Sequence, residues 1–512
     1  MIVPLTLLDF IRRAEQVYAD RVGFVDEPAQ PAAPLADLTF ARVAAMARGQ
    51  ALAWENLGLD FGDRVAIVTP NAARMLVSLF GTSAYGRILV PINYRLNADE
   101  VGYIVEHSGA RVLLVDPALD ETYRDVTCER RVVLGPDTDE ALFGADGTPD
   151  AWTADENATA TINYTSGTTA RPKGVQLTHR NLWINAAMMG LHLGVTDRDV
   201  YLHTLPMFHC NGWGMPYICT AMGAKQVVLR KVDGPEILRR VEAHGVTLMC
   251  GSPTVVNIVL AAAKDWEGEL PGRGRVRIVV AGAPPPTETI RRVETELGWE
   301  FIQIYGLTET APLLTVNRGR AEWDDLSAEQ RAVKLGRAGV PTLGVQTRTS
   351  PSGEILARGN VVLEGYWEQP EASAAALEDG WFHTGDGGTI DEGGYVTISD
   401  RKKDVIITGG ENVSSIEVED VLFSHHAVAE VAVIGVPDEK WGETVKALVV
   451  LEEGTEGVDG RDLIEHCRQN MAHYKCPTSV ELRESLPRTA TGKLQKFKLR
   501  APYWEGRDRN VS

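Results

Sequence analysis

Apolar runs that end in glycine or proline, with helix-periodic segments between them, constrain this chain more than any other feature. "DRVAIVTPN", "ARVLLVDP", "VYLHTLPMFH", "KQVVLRK", "GVTLMCGSPT", "RVRIVVAGAPPP" and "EFIQIYGLTET" each read as a strand closed by a turn. Stretches such as "ARMLVSLFGTSAYG" and "PEILRRVEAH" place apolar residues at helical spacing. This alternation predicts an α/β protein with largely parallel sheets. Ligands of such sheets gather beyond the carboxyl ends of the strands, where the loops "YTSGTT", "AGAPPP" and "YGLTET" would lie, so one crevice is expected to hold all three.

The pattern changes along the chain. A length of 512 residues suggests roughly two to four compact units. From about Gly344 the texture becomes Gly-rich and β-like, through "GEILARGNVVLEGYW" to "GYVTISD". "SSIEVEDVLFSH", "VAEVAVIGVP", "VKALVVLE" and "DLIEHCRQNMAHY" then alternate helix and strand compactly, as a separate small α+β domain does. The expected division is a large N-terminal domain over 1–399, of mostly parallel α/β sheets plus a small β lobe, and a small C-terminal domain over 400–512.

Within the large domain, "YTSGTTARPKG" (164–174) packs hydroxyls and glycines around one lysine. The alternating "NATATINYT" before it reads as a strand, and "LTHRNLWINAAMMG" after it offers Thr178 as the N-cap of a helix, so the loop is expected to join a strand to a helix. Backbone N–H groups and the hydroxyls of Thr165, Ser166, Thr168 and Thr169 would surround phosphate oxygens, Gly167 would allow close approach, and Lys173 would add a point charge. The loop is not a Walker A motif, because Lys173 precedes Gly174 and Val175. The same composition also fits a Ser/Thr-rich surface loop that binds nothing.

Charge narrows the partners. The net charge of −19 argues against nucleic acid or an anionic membrane as the main partner, so any polyphosphate must be met by locally placed cations. Six cysteines show no metal-ligand or disulfide spacing, which points to a reduced cytoplasm. The N-terminal "MIVPLTLLDFIRRAEQVYADR" has no signal-peptide order and reads as an amphipathic helix. The longest apolar stretch is broken by Gly251, Ser252, Pro253 and Asn257, so no membrane span is expected.

In motif order the chain resembles the AMP-forming adenylating superfamily of acyl-CoA synthetases, peptide-synthetase adenylation domains and firefly-type luciferases. "YTSGTTARPKG" is similar to the family's phosphate loop, "AGAPPP" and "YGLTET" to its adenine and magnesium segments, and "GWFHTGD" to its ribose-binding aspartate segment. "DRKKDVIITGGENVSSIEVE" resembles the hinge and "PRTATGK" the segment of a mobile lysine. "LPMFHCNGW" and "PDEKWGE" look most like carboxylate-activating, medium-chain acyl-CoA ligases. Two departures stand out: Ala170 takes the place of the usual glycine, and the stretch between Val340 and "SGEI" is short.

The resemblance implies an ATP site formed by Thr165, Ser166, Gly167, Thr168, Thr169 and Lys173 around the phosphates, with Gly282, Ala283, Pro284, Tyr305 and Gly306 beside the base. Thr308 would touch the α-phosphate, Glu309 and Thr165 would hold Mg²⁺, and Asp386 and Arg401 would hold the ribose. Phe208, His209 and Trp213 would border the acyl pocket, although His209 also reads as an ordinary buried histidine. Lys403 would be the hinge, Gly409 and Gly410 would line a coenzyme A tunnel, and Lys493 would bridge the reacting carboxylate and α-phosphate before swinging away with a mobile small domain. The implied reaction is ATP-dependent formation of an acyl adenylate with release of pyrophosphate, then transfer to coenzyme A. A carrier protein or an amine is the alternative acceptor. A carboxylic acid is the implied partner, and a homodimer is compatible with this reading.

Overall fold

The computed structural model describes residues 2–165, 171–401, 404–408, 411–438, 441–455, 457–489 and 494–505, with only the backbone described at 400, 401 and 412. Two large sheets carry the first two thirds of the chain. In the seven-stranded sheet, Thr159–Thr165, Ile88–Ile92, Arg64–Val68, Val112–Val115 and Arg130–Val133 run parallel in that spatial order. Lys173–Thr178 and Gly365–Tyr366 then add to the Thr159–Thr165 edge in antiparallel fashion. The nine-stranded sheet has Glu300–Gly306, Arg277–Val280, Leu248–Gly251, Val200–His203, Lys225–Val228 and Val22–Val25 parallel, with antiparallel strands at both edges.

Burial explains why these runs became parallel strands. Every residue of Ile88–Ile92 and of Val112–Val115 is buried, as expected where helices cover both faces of a sheet. The main core lies between the two sheets, where Phe24, Phe40, Trp54, Phe80, Leu182, Met189 and Tyr217 join one apolar cluster. A charge clamp adds to it. Arg230, just past one sheet's strand, donates two bonds of 2.9 and 2.7 Å to the buried Asp116 beyond a strand of the other sheet. Among the described residues no helix is long and apolar enough to cross a membrane.

The region after "YTSGTT" differs from the sequence expectation. The chain does not pass from Thr165 straight into a helix. It returns as an antiparallel partner of Thr159–Thr165, Lys173–Thr178, and the helix His179–Leu193 follows that second strand. "KGVQLT" buries Gly174, Val175, Leu177 and Thr178, in two pairs about Gln176, so the short run carries no clean period of two and the polar loop before it masks what signal there is. The cap itself is as expected: the Thr178 hydroxyl accepts the Asn181 N–H at 3.1 Å, and the Asn181 side chain accepts the Thr178 N–H at 2.9 Å.

Beyond the two large sheets, Val345–Thr349, Glu354–Gly359, Phe382–Ile390 and Val396–Arg401 form an antiparallel four-stranded lobe. The last sheet, from Ile406–Thr408 onward, centres on the long antiparallel pair Val428–Asp438 and Gly442–Leu451 and has its own apolar core around Ile406, Val418, Val433 and Val449. The α/β architecture with a small β lobe and a compact C-terminal α+β unit is therefore the one the sequence implies.

Candidate active site

The site grows from the carboxyl ends of two strands. Thr159–Thr165 leads into residues 166–170, and its last residue Thr165 faces Lys173 across the antiparallel pair. Glu300–Gly306 leads into the short 3-10 turn Thr308–Thr310. The chain must pass Gly306 very close to the following strand, since a methyl group built there would overlap the Pro312 carbonyl. Only glycine permits that approach without moving the backbone.

Two expected residues meet around one unexpected tyrosine. Tyr366, in the strand added beside Lys173–Thr178, donates its hydroxyl to Glu309 Oε1 at 3.0 Å. The Lys173 Nζ stands 4.7 Å from the centroid of the same ring. Tyr366 thus presents a hydrogen-bond donor to the anion and a π face to the cation, which holds both charges beside one ring. Burial and the neighbouring Glu309 charge push the phenol pKa far up, so it remains a donor. No local pattern marks this residue, since Tyr366 and Glu309 are 57 positions apart.

A second pair forms at the other end of the same segment. Tyr305 donates to Asp386 Oδ2 at 2.9 Å, and Asp386, 7 % exposed, sits in the strand Phe382–Ile390 directly across from Arg401. The Asp386 N–H is held by the Thr384 hydroxyl at 3.1 Å, which fixes where its carboxylate emerges. The carboxylate accepts only, through two oxygens, and therefore suits a ligand that offers vicinal hydroxyl donors. Gly282, Ala283 and Pro284 follow the strand Arg277–Val280, with Gly282 exposed at φ +93° and the other two half-buried.

The acyl-side candidates lie in "MFHCNGW". Met207, Phe208 and Trp213 are buried, Phe208 packs edge-on against Tyr94 with centroids 5.6 Å apart, and His209 is only half-buried. Cys210 Sγ approaches the Thr308 carbonyl at 3.9 Å, which places this turn against the Thr308–Thr310 segment. Burial, reinforced by Glu309, keeps the Cys210 thiol protonated and inert. Ser166, Gly167, Thr168, Thr169 and Ala170, together with Lys403, Gly409, Gly410 and Lys493, lie outside the described residues, as does the Arg401 side chain.

This arrangement coincides with a known sequence family over most of the chain. Residues 11–367 match the AMP-binding enzyme model, and residues 417–493 match the AMP-binding enzyme C-terminal domain. The chain belongs to the AMP-binding enzyme family. It is similar to the 2-methylpropanoate–CoA ligase CCL4 of Humulus lupulus, at 36% identity over 97% of this chain and 95% of that protein. It is also similar to the peroxisomal butyrate–CoA ligase AAE11 of Arabidopsis thaliana, at 35% identity over 97% of this chain and 93% of that one. Among solved structures, the anthranilate CoA ligase AuaEII in complex with anthranoyl-AMP overlays with a TM-score of 0.87, at 26% identity and 98% coverage of both chains.

As a member of this group the chain is an AMP-forming acid–CoA ligase, which joins a carboxylic acid to coenzyme A at the expense of ATP. The chemistry suits the residues present. A carboxylate resists attack because its charge is delocalised and its leaving group would be oxide, whereas an acyl adenylate releases AMP. Forming it requires mostly positioning and charge neutralisation, and no side chain need form a covalent bond.

Proposed function

We propose that the acid taken by this ligase is a small to medium apolar monocarboxylate. The observation that carries the reading is the buried Met207, Phe208 and Trp213 beside the Thr308–Thr310 turn, in a stretch without an acidic residue to pair with a substrate ammonium. The relatives named for 2-methylpropanoate and butyrate support it.

In this reading Thr165 to Thr169 and Lys173 hold the ATP phosphates, Gly282, Ala283, Pro284, Tyr305 and Gly306 border the base, and Asp386 and Arg401 hold the ribose. Thr308 touches the α-phosphate. Glu309 and Thr165 hold Mg²⁺; both offer hard oxygen donors, and a lone carboxylate with a hydroxyl suits an ion that takes its remaining ligands from phosphate and water. Bound there, the ion would offset the negative charge of the phosphates. Tyr366 orients the Glu309 carboxylate, and Lys173 adds a second positive charge. Lys493 serves adenylation and departs with a small domain, 400–512, that turns about Lys403 and brings Gly409 and Gly410 to the pantetheine path. The remaining assignments are a reducing cytoplasm, supported by the absence of disulfides among the described cysteines, and a homodimer without a nucleic-acid partner.

Pyrophosphate release measured over a panel of carboxylic acids, with and without coenzyme A, tests the substrate class. Turnover of short and medium apolar acids is expected; turnover confined to amino acids or dicarboxylates overturns it.

A further inference from the structure

The segment that bears Phe208, His209 and Trp213 has an uncommon backbone. Cys210, Asn211, Gly212, Trp213 and Gly214 all have positive φ, of +46°, +51°, +59°, +60° and +79°. They form a left-handed turn in which three of the five residues carry a Cβ that disfavours it. Such a conformation persists only where its surroundings over-determine it, and it concentrates at functional sites.

The surroundings here are a buried polar bracket. Asn211, fully buried, donates its amide to Thr161 Oγ1 at 3.0 Å and to Asn163 Oδ1 at 3.2 Å. Thr161 in turn donates to Asn163 Oδ1 at 2.9 Å, and Asn163 donates to Asn211 Oδ1 at 3.4 Å and to the Phe208 carbonyl at 3.5 Å. The far end is held by Asn185, which donates to the Trp213 carbonyl at 3.1 Å and accepts the Leu313 N–H at 3.1 Å. Asn71 fixes the approach by accepting the Met207 N–H at 2.8 Å.

The bracket's anchors are also the elements of the nucleotide site. Thr161 and Asn163 belong to the strand that ends at Thr165, and Leu313 opens the strand that follows the Thr308–Thr310 turn. The amides therefore set the distance between the apolar wall and the place where the carboxylate meets the α-phosphate. Fully satisfied buried networks of this kind rigidify what they touch.

We infer that Asn211 is a positioning residue for the acid: through Thr161 and Asn163 it holds the left-handed turn and so fixes the depth of the acyl pocket relative to Thr165 and the Thr308–Thr310 turn. The inference rests on the acyl-pocket reading above, and it is independent of which acid the parent enzyme prefers.

Asn211→Gly is the informative variant, because glycine adopts φ +51° without steric cost and only the amide is lost. The loss of its buried hydrogen bonds should lower kcat/KM for the preferred acid by about tenfold. Discrimination between acids differing by one methylene, ~10–200-fold for a well-formed pocket, should collapse toward unity. ATP affinity by calorimetry should stay within about twofold of the parent, since no phosphate ligand is removed. An unchanged acid profile in the folded variant overturns the inference, and so does a parallel loss of ATP affinity.

If Asn211→Gly does not fold, Thr161 decides the matter. Thr161→Val keeps the shape but loses the hydroxyl link and should shift the acid profile in the same direction, while Thr161→Ser restores it; equal profiles for the two variants refute the role. A parent enzyme that turns over no apolar acid would instead count against the substrate class, and the variants would then be scored on the acid it does use.

Discussion

The two halves of the candidate site, proposed for the nucleotide and for the acid, are built by opposite means. Lys173, Tyr305, Glu309 and Asp386 stand on ordinary strands or the short turn just beyond one, and each finds its partner by side-chain reach alone. Phe208, His209 and Trp213 stand on or beside a left-handed turn that cannot hold itself and relies on buried amides from two other elements. A site for a ligand common to a whole family can use regular backbone and a few charges. A pocket whose depth sets selectivity needs a backbone held in one place from outside.

Substitutions can sharpen that contrast, and the largest effect is expected at Lys493, the residue proposed to serve both halves. Lys493→Ala should slow adenylation by about 10²–10³, the usual loss of a preorganised charge donor. Synthetic acyl adenylate with coenzyme A should still give thioester at close to the parent rate in single-turnover measurements. Equal slowing of both steps would indicate a folding defect rather than a moving lysine.

Next comes Asp386→Ala. Hydrogen bonds to charged groups contribute roughly 1.5–3 kcal/mol each, so ATP affinity should fall about tenfold or more by calorimetry while preference among acids stays as in the parent. An unaltered ATP affinity would reduce Asp386 to a turn residue. Phe208→Leu should do the converse: the T-shaped contact with Tyr94 is lost and longer acids gain relative to shorter ones, with ATP affinity unchanged. A shift in ATP affinity there would break the division into halves.

The smallest effect is expected from Tyr366→Phe, which removes only the donor that orients Glu309. A neutral donor to a carboxylate is worth about 1.5 kcal/mol, and the Mg²⁺ concentration at half-maximal rate should rise several-fold. Glu309→Gln should raise it further, and identical Mg²⁺ titrations for the parent and both variants would count against the metal role of Glu309.

Much of the fold, and the residues proposed for the nucleotide, can be read from the sequence. The strand runs that became the parallel sheets announced themselves by continuous apolar residues and Gly/Pro ends, and Glu309, Asp386 and Lys173 stand in short motifs whose order along the chain is informative. The hairpin after the phosphate loop was not legible, because "KGVQLT" is too short and its pattern too irregular to outweigh the polar loop beside it. Tyr366 was missed for a different reason: nothing in "EGYW" marks a partner for Glu309, and only the addition of Gly365–Tyr366 to the edge of a sheet brings the two together. Asn211 was in plain view within "FHCNGW", yet its role depends on Thr161 and Asn163, 50 and 48 positions away.

The sequence by itself determined most of the succession of strands and helices, the hairpin strand Lys173–Thr178 excepted, the chemical groups available to a nucleotide, and the family to which they point. These follow from local physics: hydrophobic period, turn chemistry and motif spacing act over a few residues. The tertiary structure alone decided which groups meet, from Tyr305 with Asp386, 81 positions apart, to the amide bracket around a turn that no local propensity favours. Packing the two large sheets and the β lobe around a shared core brings distant side chains within hydrogen-bond reach, and burial then makes most unpaired polar groups too costly to leave alone.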